Sequence, residues 1–235
     1  MIRKSFAAVS VLGSAALAAA ALTTTVSAAS PTTAAPAAAP KVAAAAYPAS
    51  STTITKVKRH GEWTTSFKMV RSTGSINANC LVHAKAKVSV TSKGSVEVMK
   101  VVASGLPKKT EFDFFVLQVP DFPFGLSWYQ GDFKTNKHGK AEAKFIGRFN
   151  KETFTVALNT APAPDVDGKD ATSNPGTRPV HQHHLGFWFN KPADAAAAGC
   201  SDGSTPFNGE HNAGAQAMST AQFPVLGGPL KHVKS

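Results

Sequence analysis

Four consecutive residues, His181-Gln182-His183-His184, hold the densest chemistry in the chain. On a strand, His181 and His183 share a face with Leu185, Phe187 and Phe189, while His184 joins Gly186 and Trp188. Two imidazoles at i and i+2 converge on one metal ion, and imidazole nitrogen suits Zn or Cu. His211, beside Glu210, becomes a third ligand if the fold brings it near. The plainer reading starts the strand at His184 and leaves the other histidines hydrogen-bonded or solvated in the loop before it. A second metal candidate is Asp165-Val166-Asp167-Gly168-Lys169-Asp170, with spaced carboxylates and a Gly for the bend, as in part of a Ca loop. Lys169 intrudes, and no Glu closes the loop at the distance an EF-hand needs. An acidic, solvated turn is therefore favoured over Ca.

Basic residues recur at strand spacing. Lys140, Lys144 and Arg148 fall on one face of one strand, and Lys85 with Lys87 on one face of another. If those strands share a sheet, they make a positive surface for anionic polymers, whether wall polymer, acidic glycan or stray nucleic acid. Glu142 interrupts the row, and basic solvent faces also protect sheet edges. The chain carries 25 Lys+Arg against 14 Asp+Glu, a formal charge of +11. No motif for reading nucleic-acid sequence accompanies this charge, so no specific nucleic acid is expected as partner.

Aromatic residues gather in and after the loop Val119-Pro120-Asp121-Phe122-Pro123-Phe124-Gly125. With Trp128 and Tyr129 they suit a stacking platform for sugar rings or peptide, or the closure of one end of a core. Alternation sends Trp128 and Tyr129 to opposite faces, so one platform takes at most one of them. Catalytic signatures are missing: there is no nucleophile elbow, no H-E-x-x-H and no Gly-rich phosphate loop. Asp113, Asp132 and Glu142 have no pairing visible in one dimension. Binding is expected rather than turnover.

The elements that must position these residues begin after an export tag. Arg3 and Lys4 precede an apolar Ala/Val/Leu run that closes at Val26-Ser27-Ala28, the pattern of a secretory signal peptide over residues 1–28. Its removal lowers the formal charge by two. No later apolar stretch is long enough to span a bilayer, so the mature protein is expected to be secreted and extracellular, with no integral membrane segment after signal cleavage. Residues 29–53 are rich in Ala, Pro, Thr and Ser, with too little bulky apolar surface to offset ordering, and read as a disordered spacer. Residues 54–235 fit a single domain. An oxidising compartment favours a bridge between the two cysteines, Cys80 and Cys200.

Within that domain the period is two. In residues 81–91, Val82, Ala84, Ala86, Val88 and Val90 take one face and His83, Lys85, Lys87 and Ser89 the other. Ser92-Lys93-Gly94-Ser95 is a turn, and residues 96–103 return as a strand that Gly105-Leu106-Pro107 ends. Residues 112–119 are apolar on both faces except at Asp113, which suits a covered central strand. Residues 126–135 and 141–149 flank Asn136-Lys137-His138-Gly139, whose Gly supplies positive φ for a hairpin loop. Further strands are expected at 152–158, 180–189 and 213–220. One short helix is marked by Pro192 near its start, Asp194 in its first turn and Gly199 as its stop.

Leu106, Thr110, Phe112 and Val116 resemble the L-x-x-x-T-x-Y-x-x-x-V strand opening of fibronectin type III and related immunoglobulin-like modules. The spacing of Gly131, Thr135 and Gly139 is similar to the hairpin of many secreted bacterial sandwiches. The resemblance spans about residues 88–158. Phe112 stands where the family has Tyr, so the family's hydroxyl-to-backbone bond cannot form here. It implies a fold class and no activity. The expected fold is all-β: an antiparallel, immunoglobulin-like β-sandwich of about eight or nine strands with one short helix near the C-terminal end. A closed barrel is the rival.

Overall fold

A strand that the pattern reading passes over, β2 (Glu62–Arg71), is the one on which the sheet turns. Phe67 and Met69 point inward with Thr65, while Thr64, Ser66 and Lys68 face out. The computed structural model describes residues 49–150, 153–155, 179–201, 205 and 212–234. Backbone contacts group Ala43–Ser235 as one unit, and all described residues lie in it. Residues 1–48, with the expected signal peptide and most of the expected spacer, fall outside the described residues. At the end of the expected spacer, Ala49–Thr52 forms a 3-10 turn, and the Gln222 side-chain amide donates to Ser51 O.

β1 (Thr55–Arg59) is joined to β2 by His60-Gly61, both with positive φ, a tight hairpin turn. Ser72 then caps α1 (Thr73–Asn77), its Oγ accepting from Ser75 N–H. β3 (Lys85–Lys93) and β4 (Val96–Ser104) form the expected hairpin around Gly94-Ser95. β3 starts four residues later than its alternation suggests. Leu81 has φ +54 and sits in a turn, which leaves Val82 exposed. β5 (Glu111–Leu117) follows, then β6 (Ser127–Lys134) and β7 (Ala141–Gly147). β8 (Thr153–Thr155) pairs with β9 (Pro179–His181). The chain continues through β10 (His184–Phe189), α2 (Pro192–Ala197) and β11 (Gln216–Ser219). Residues 180–189 are thus two strands broken at Gln182-His183, and α2 falls where Pro192 and Gly199 place it.

Nine strands make one antiparallel sheet in the order β6-β5-β10-β11-β2-β3-β4-β7, with β1 also paired to β2. β2 carries β1 along its first half and β11 at Val70 and Arg71. It therefore belongs to both halves of the sheet, which rolls about it into a nearly closed, barrel-like form. The two ends of the order meet where Phe145 of β7 stacks on Phe114 of β5 at 5.1 Å and packs against Gly131 of β6. All-β architecture with few, short helices is the outcome.

β6 and β7 do not form the hairpin their spacing suggests: β6 pairs with β5, and β7 crosses to β4. The reason lies in the corner between them. Thr135 Oγ1 accepts from Thr110 N–H and donates to Pro107 O, pinning the loop to the start of β5. Gly139 has φ +68, and a Cβ there would lie 2.2 Å from Leu106 O, so only Gly fits this crossing.

One core joins the two halves. Phe112, Phe114, Leu185, Phe187 and Phe189 meet Phe67, Val88, Val90, Met99 and Val101, all essentially inaccessible to solvent. Phe187 touches the rings of Phe112, Phe114 and Phe133 with centroids 5.1–6.3 Å apart. β5 and β10 are buried on both faces, as the apolar run at 112–119 requires, because a second cluster of Phe115, Leu117, Trp188 and Ala213 covers their outer side. Cys80 and Cys200 are bridged, with Cα atoms 5.2 Å apart, and tie the turn after α1 to the end of α2. No helix among the described residues is long and apolar enough to cross a membrane.

Candidate functional site

The register of β2, β3, β4 and β7 arranges their outward side chains in rows. One row runs Lys68, Lys87, Val102, Glu142. The next runs Ser66, Ser89, Lys100, Lys144. Lys140, just before β7, shares a cleft with Ser104 of β4, whose partner on β3 is Lys85. Neighbouring strands lie about 4.8 Å apart and same-face residues about 6.7 Å apart along a strand, so the ammonium groups form a grid rather than a line. The basic strands expected from spacing therefore do share a sheet. β7 itself contributes Lys144, with Lys140 and Arg148 just outside its ends.

The structure also distinguishes among these cations. Lys100 Nζ bonds Glu142 Oε1 at 2.7 Å, and Lys93 bonds Glu62 at 2.5 Å. The Lys100 hydrogen bond holds the Glu142 carboxyl below its ordinary range, with further help from the charges of Lys100 and Lys144. Arg148 donates to Ser95 O at 2.7 Å and so braces the β3–β4 turn. Among the described residues, Lys68, Lys85, Lys87, Lys140 and Lys144 take part in no ion pair. At the α1 end of the grid lies an open groove of about 730 Å³, bordered by Lys68, Arg71, Lys85 and Lys87 and by no acidic residue. The Arg71 guanidinium donates to Cys80 O at 2.9 Å, which holds it along the groove wall. Lys68 and Arg71 escape sequence reasoning because β2 does, whereas Lys100 sits on β4, which the pattern reading does place. The alternation of Phe67 and Met69 with Ser66 and Lys68 is the signal that identifies β2.

The histidines lie apart from this face. β9 ends at His181 and β10 begins at His184, so His183 lies in the loop between them and its carbonyl accepts from Leu230 N–H. His184 is wholly buried. Its Nε2 lies 2.9 Å from Val225 O, which can only accept, so Nε2 carries the proton. Its Nδ1, 3.0 Å from Thr220 Oγ1, then accepts from that hydroxyl. Burial outweighs these bonds and pushes the ring down to about 4, which keeps it neutral. With both nitrogens engaged, His184 has no lone pair to offer a metal in this arrangement. The His181 side chain, His211 and the Asp165 to Asp170 segment fall outside the described residues. Among those described, no three His, Cys, Asp or Glu side chains form a metal-sized cluster.

Aromatic residues build a ridge on the other half of the sheet. Phe122, Phe124, Trp188, Phe115 and Tyr129 follow one another at centroid distances of 4.9–5.9 Å. Gln118 holds the loop beneath them, its Oε1 accepting from Leu126 N–H. Phe122 is 72% exposed, Trp128 50% and Tyr129 49%. A register shift opposite Phe114 and Phe115 leaves Tyr129 against Phe115 and puts Trp128 opposite Val116. Tyr129 joins the ridge through Phe115.

Register also sets Asp113 directly opposite Asp132, a pairing invisible in one dimension. Asp113 is fully buried and accepts from Asn190 Nδ2 at 2.8 Å, so it holds strands together where a substrate has no access. Asp121 accepts from Thr73 Oγ1, and burial raises its carboxyl above the usual range. No protein-family model matches this chain, and no curated protein matches it.

Proposed function

We propose that this chain is a secreted, non-catalytic binding module for anionic cell-wall polymer or glycan, with the outward face of β2, β3, β4 and β7 as its contact surface. The observation that carries the reading is one of register. Six lysines, Lys68, Lys85, Lys87, Lys100, Lys140 and Lys144, face the same way with Glu142 among them, and Glu62 lies at the far end of the face, paired to Lys93. A grid of like charges costs self-repulsion that a polyanion relieves on docking. The signal-like N-terminus and the Cys80–Cys200 bridge suit an oxidising site of action outside the cytoplasm. In fold terms the reading is an immunoglobulin-like sandwich, related to fibronectin type III modules, whose two layers share β2. Tyr129 and Phe122 would add stacking contacts to a glycan that reaches the aromatic ridge.

Adsorption to immobilised heparin and polyphosphate at low salt tests the reading. The K68E/K87E/K144E variant is expected to lose retention. A variant of equal net charge, K56E/K191E/K231E, is expected to keep most of it. Equal losses in the two variants would reduce the effect to net charge and reject the face.

A further inference from the structure

We infer that the groove between α1 and β3 binds the headgroup and first methylenes of a phosphate-headed, single-chain lipid. The inference rests on the proposed anion-binding face and names the ligand class for one end of it. Four cations border the groove, Lys68, Arg71, Lys85 and Lys87, and no carboxylate lines it. Lys68 and Lys87 are direct cross-strand partners, and Lys85 is the next residue on that face. So dense a set of positive charges calls for more than one negative charge at one point. A phosphate monoester carries about −1.5 to −2 at neutral pH, where a carboxylate carries one.

Apart from Ser104, the remaining lining is apolar. Val70, Ala84 and Val102, with Ile76 of α1, supply this apolar floor. Val102 is 44% exposed, an unusual place for a branched aliphatic side chain in the middle of a lysine grid. The lysine stems extend this apolar wall while their ammonium groups stay at the rim. A purely ionic ligand would satisfy the rim and leave the floor wet. A neutral lipid would cover the floor and leave Lys68, Lys85 and Lys87 without an anion. An acidic headgroup on a hydrocarbon chain satisfies both. The volume, about 730 Å³, lies within the range of roughly 300–1,000 Å³ typical of small-molecule sites.

Calorimetric titration of the full chain with dodecyl phosphate below its micellar concentration tests the inference, with inorganic phosphate and dodecyl maltoside as the headgroup-only and chain-only arms. Dodecyl phosphate is expected to bind at least tenfold more tightly than either. The I76S/V102S variant, checked for an unchanged unfolding transition, is expected to lose at least fivefold in dodecyl phosphate affinity while keeping its adsorption to polyphosphate. K85E/K87E is expected to lose both. Dodecyl phosphate binding no tighter than inorganic phosphate, with polyphosphate adsorption intact, overturns the lipid site and leaves the polymer-binding reading standing. Equal binding of dodecyl maltoside overturns the headgroup assignment. Loss of all phosphate and polymer binding in the unmodified chain overturns both readings.

Discussion

Acid should loosen this fold through His184 in a defined window. The ring opens β10 from a site without solvent access, donates from Nε2 to Val225 O, and accepts at Nδ1 from Thr220. Burial lowers its affinity for a proton from the ordinary 6.5 to about 4. Between those values the unfolded chain binds a proton that the folded chain refuses. Stability contributed by the neutral ring is therefore complete above about pH 6.5 and is lost as pH falls toward 4. Each tenfold change in proton affinity is worth about 1.4 kcal/mol, so the full effect is about 3 kcal/mol. Most domains have only about 5–15 kcal/mol in total.

The assay is urea unfolding at pH 7, 5.5 and 4 on the wild type and on His184→Gln, whose amide can still donate to Val225. The wild type should lose about 3 kcal/mol more than the variant over that range. Other titrating groups, such as His232, which burial and the charges of Lys56 and Lys231 push down, cancel in the difference. Parallel pH curves for the two proteins would refute the reasoning. So would a ring-nitrogen NMR titration of folded His184 near 6.5.

Other outcomes follow from the same geometry. Reducing Cys80–Cys200, which closes a separation of 120 residues, should cost about 2–5 kcal/mol, read as a lower urea midpoint. Phe187→Ala should cost about 3–5 kcal/mol, because three rings close around a fully buried side chain; a loss under 1 kcal/mol in a folded variant would contradict that packing. If any Zn or Cu is retained after dialysis, His184→Gln should leave its stoichiometry unchanged in elemental analysis. Loss of the metal would contradict the assignment of both ring nitrogens to Thr220 and Val225.

The strands that are legible in the sequence are those with clean contrasts. β4 alternates Met99, Val101 and Ala103 inward with Lys100 and Val102 outward, and β5 is apolar on both faces because the main core covers one and the cluster around Phe115 and Trp188 covers the other. α2 announces itself through Pro192 and Gly199. β2 is harder to read: Thr64, Thr65 and Ser66 stand together, so the inward Thr65 breaks the apolar series that Phe67 and Met69 continue. Missing β2 hides the strand that joins the two halves, and with it Lys68 of the lysine grid. The β6–β7 crossing is hidden for another reason. Loop length and a positive-φ Gly are common to a hairpin and a crossover, and the deciding bonds from Thr135 span 25 and 28 residues. In the histidine run, type and spacing are legible but burial is not. Only the fold reveals that His184 spends its nitrogens on Thr220 and Val225. Alternation alone places Lys85, Lys87 and Lys144 on their faces, whereas their mutual proximity depends on strand order.

The salt dependence of polyphosphate binding tests the lysine face most directly. Each lysine that meets a phosphate contributes about one to the slope of log affinity against log salt concentration. Replacing Lys87 and Lys144 by Gln should flatten that slope by about two while the unfolding transition stays in place. An unchanged slope, with weak binding displaced equally in both proteins, would contradict contact through this face.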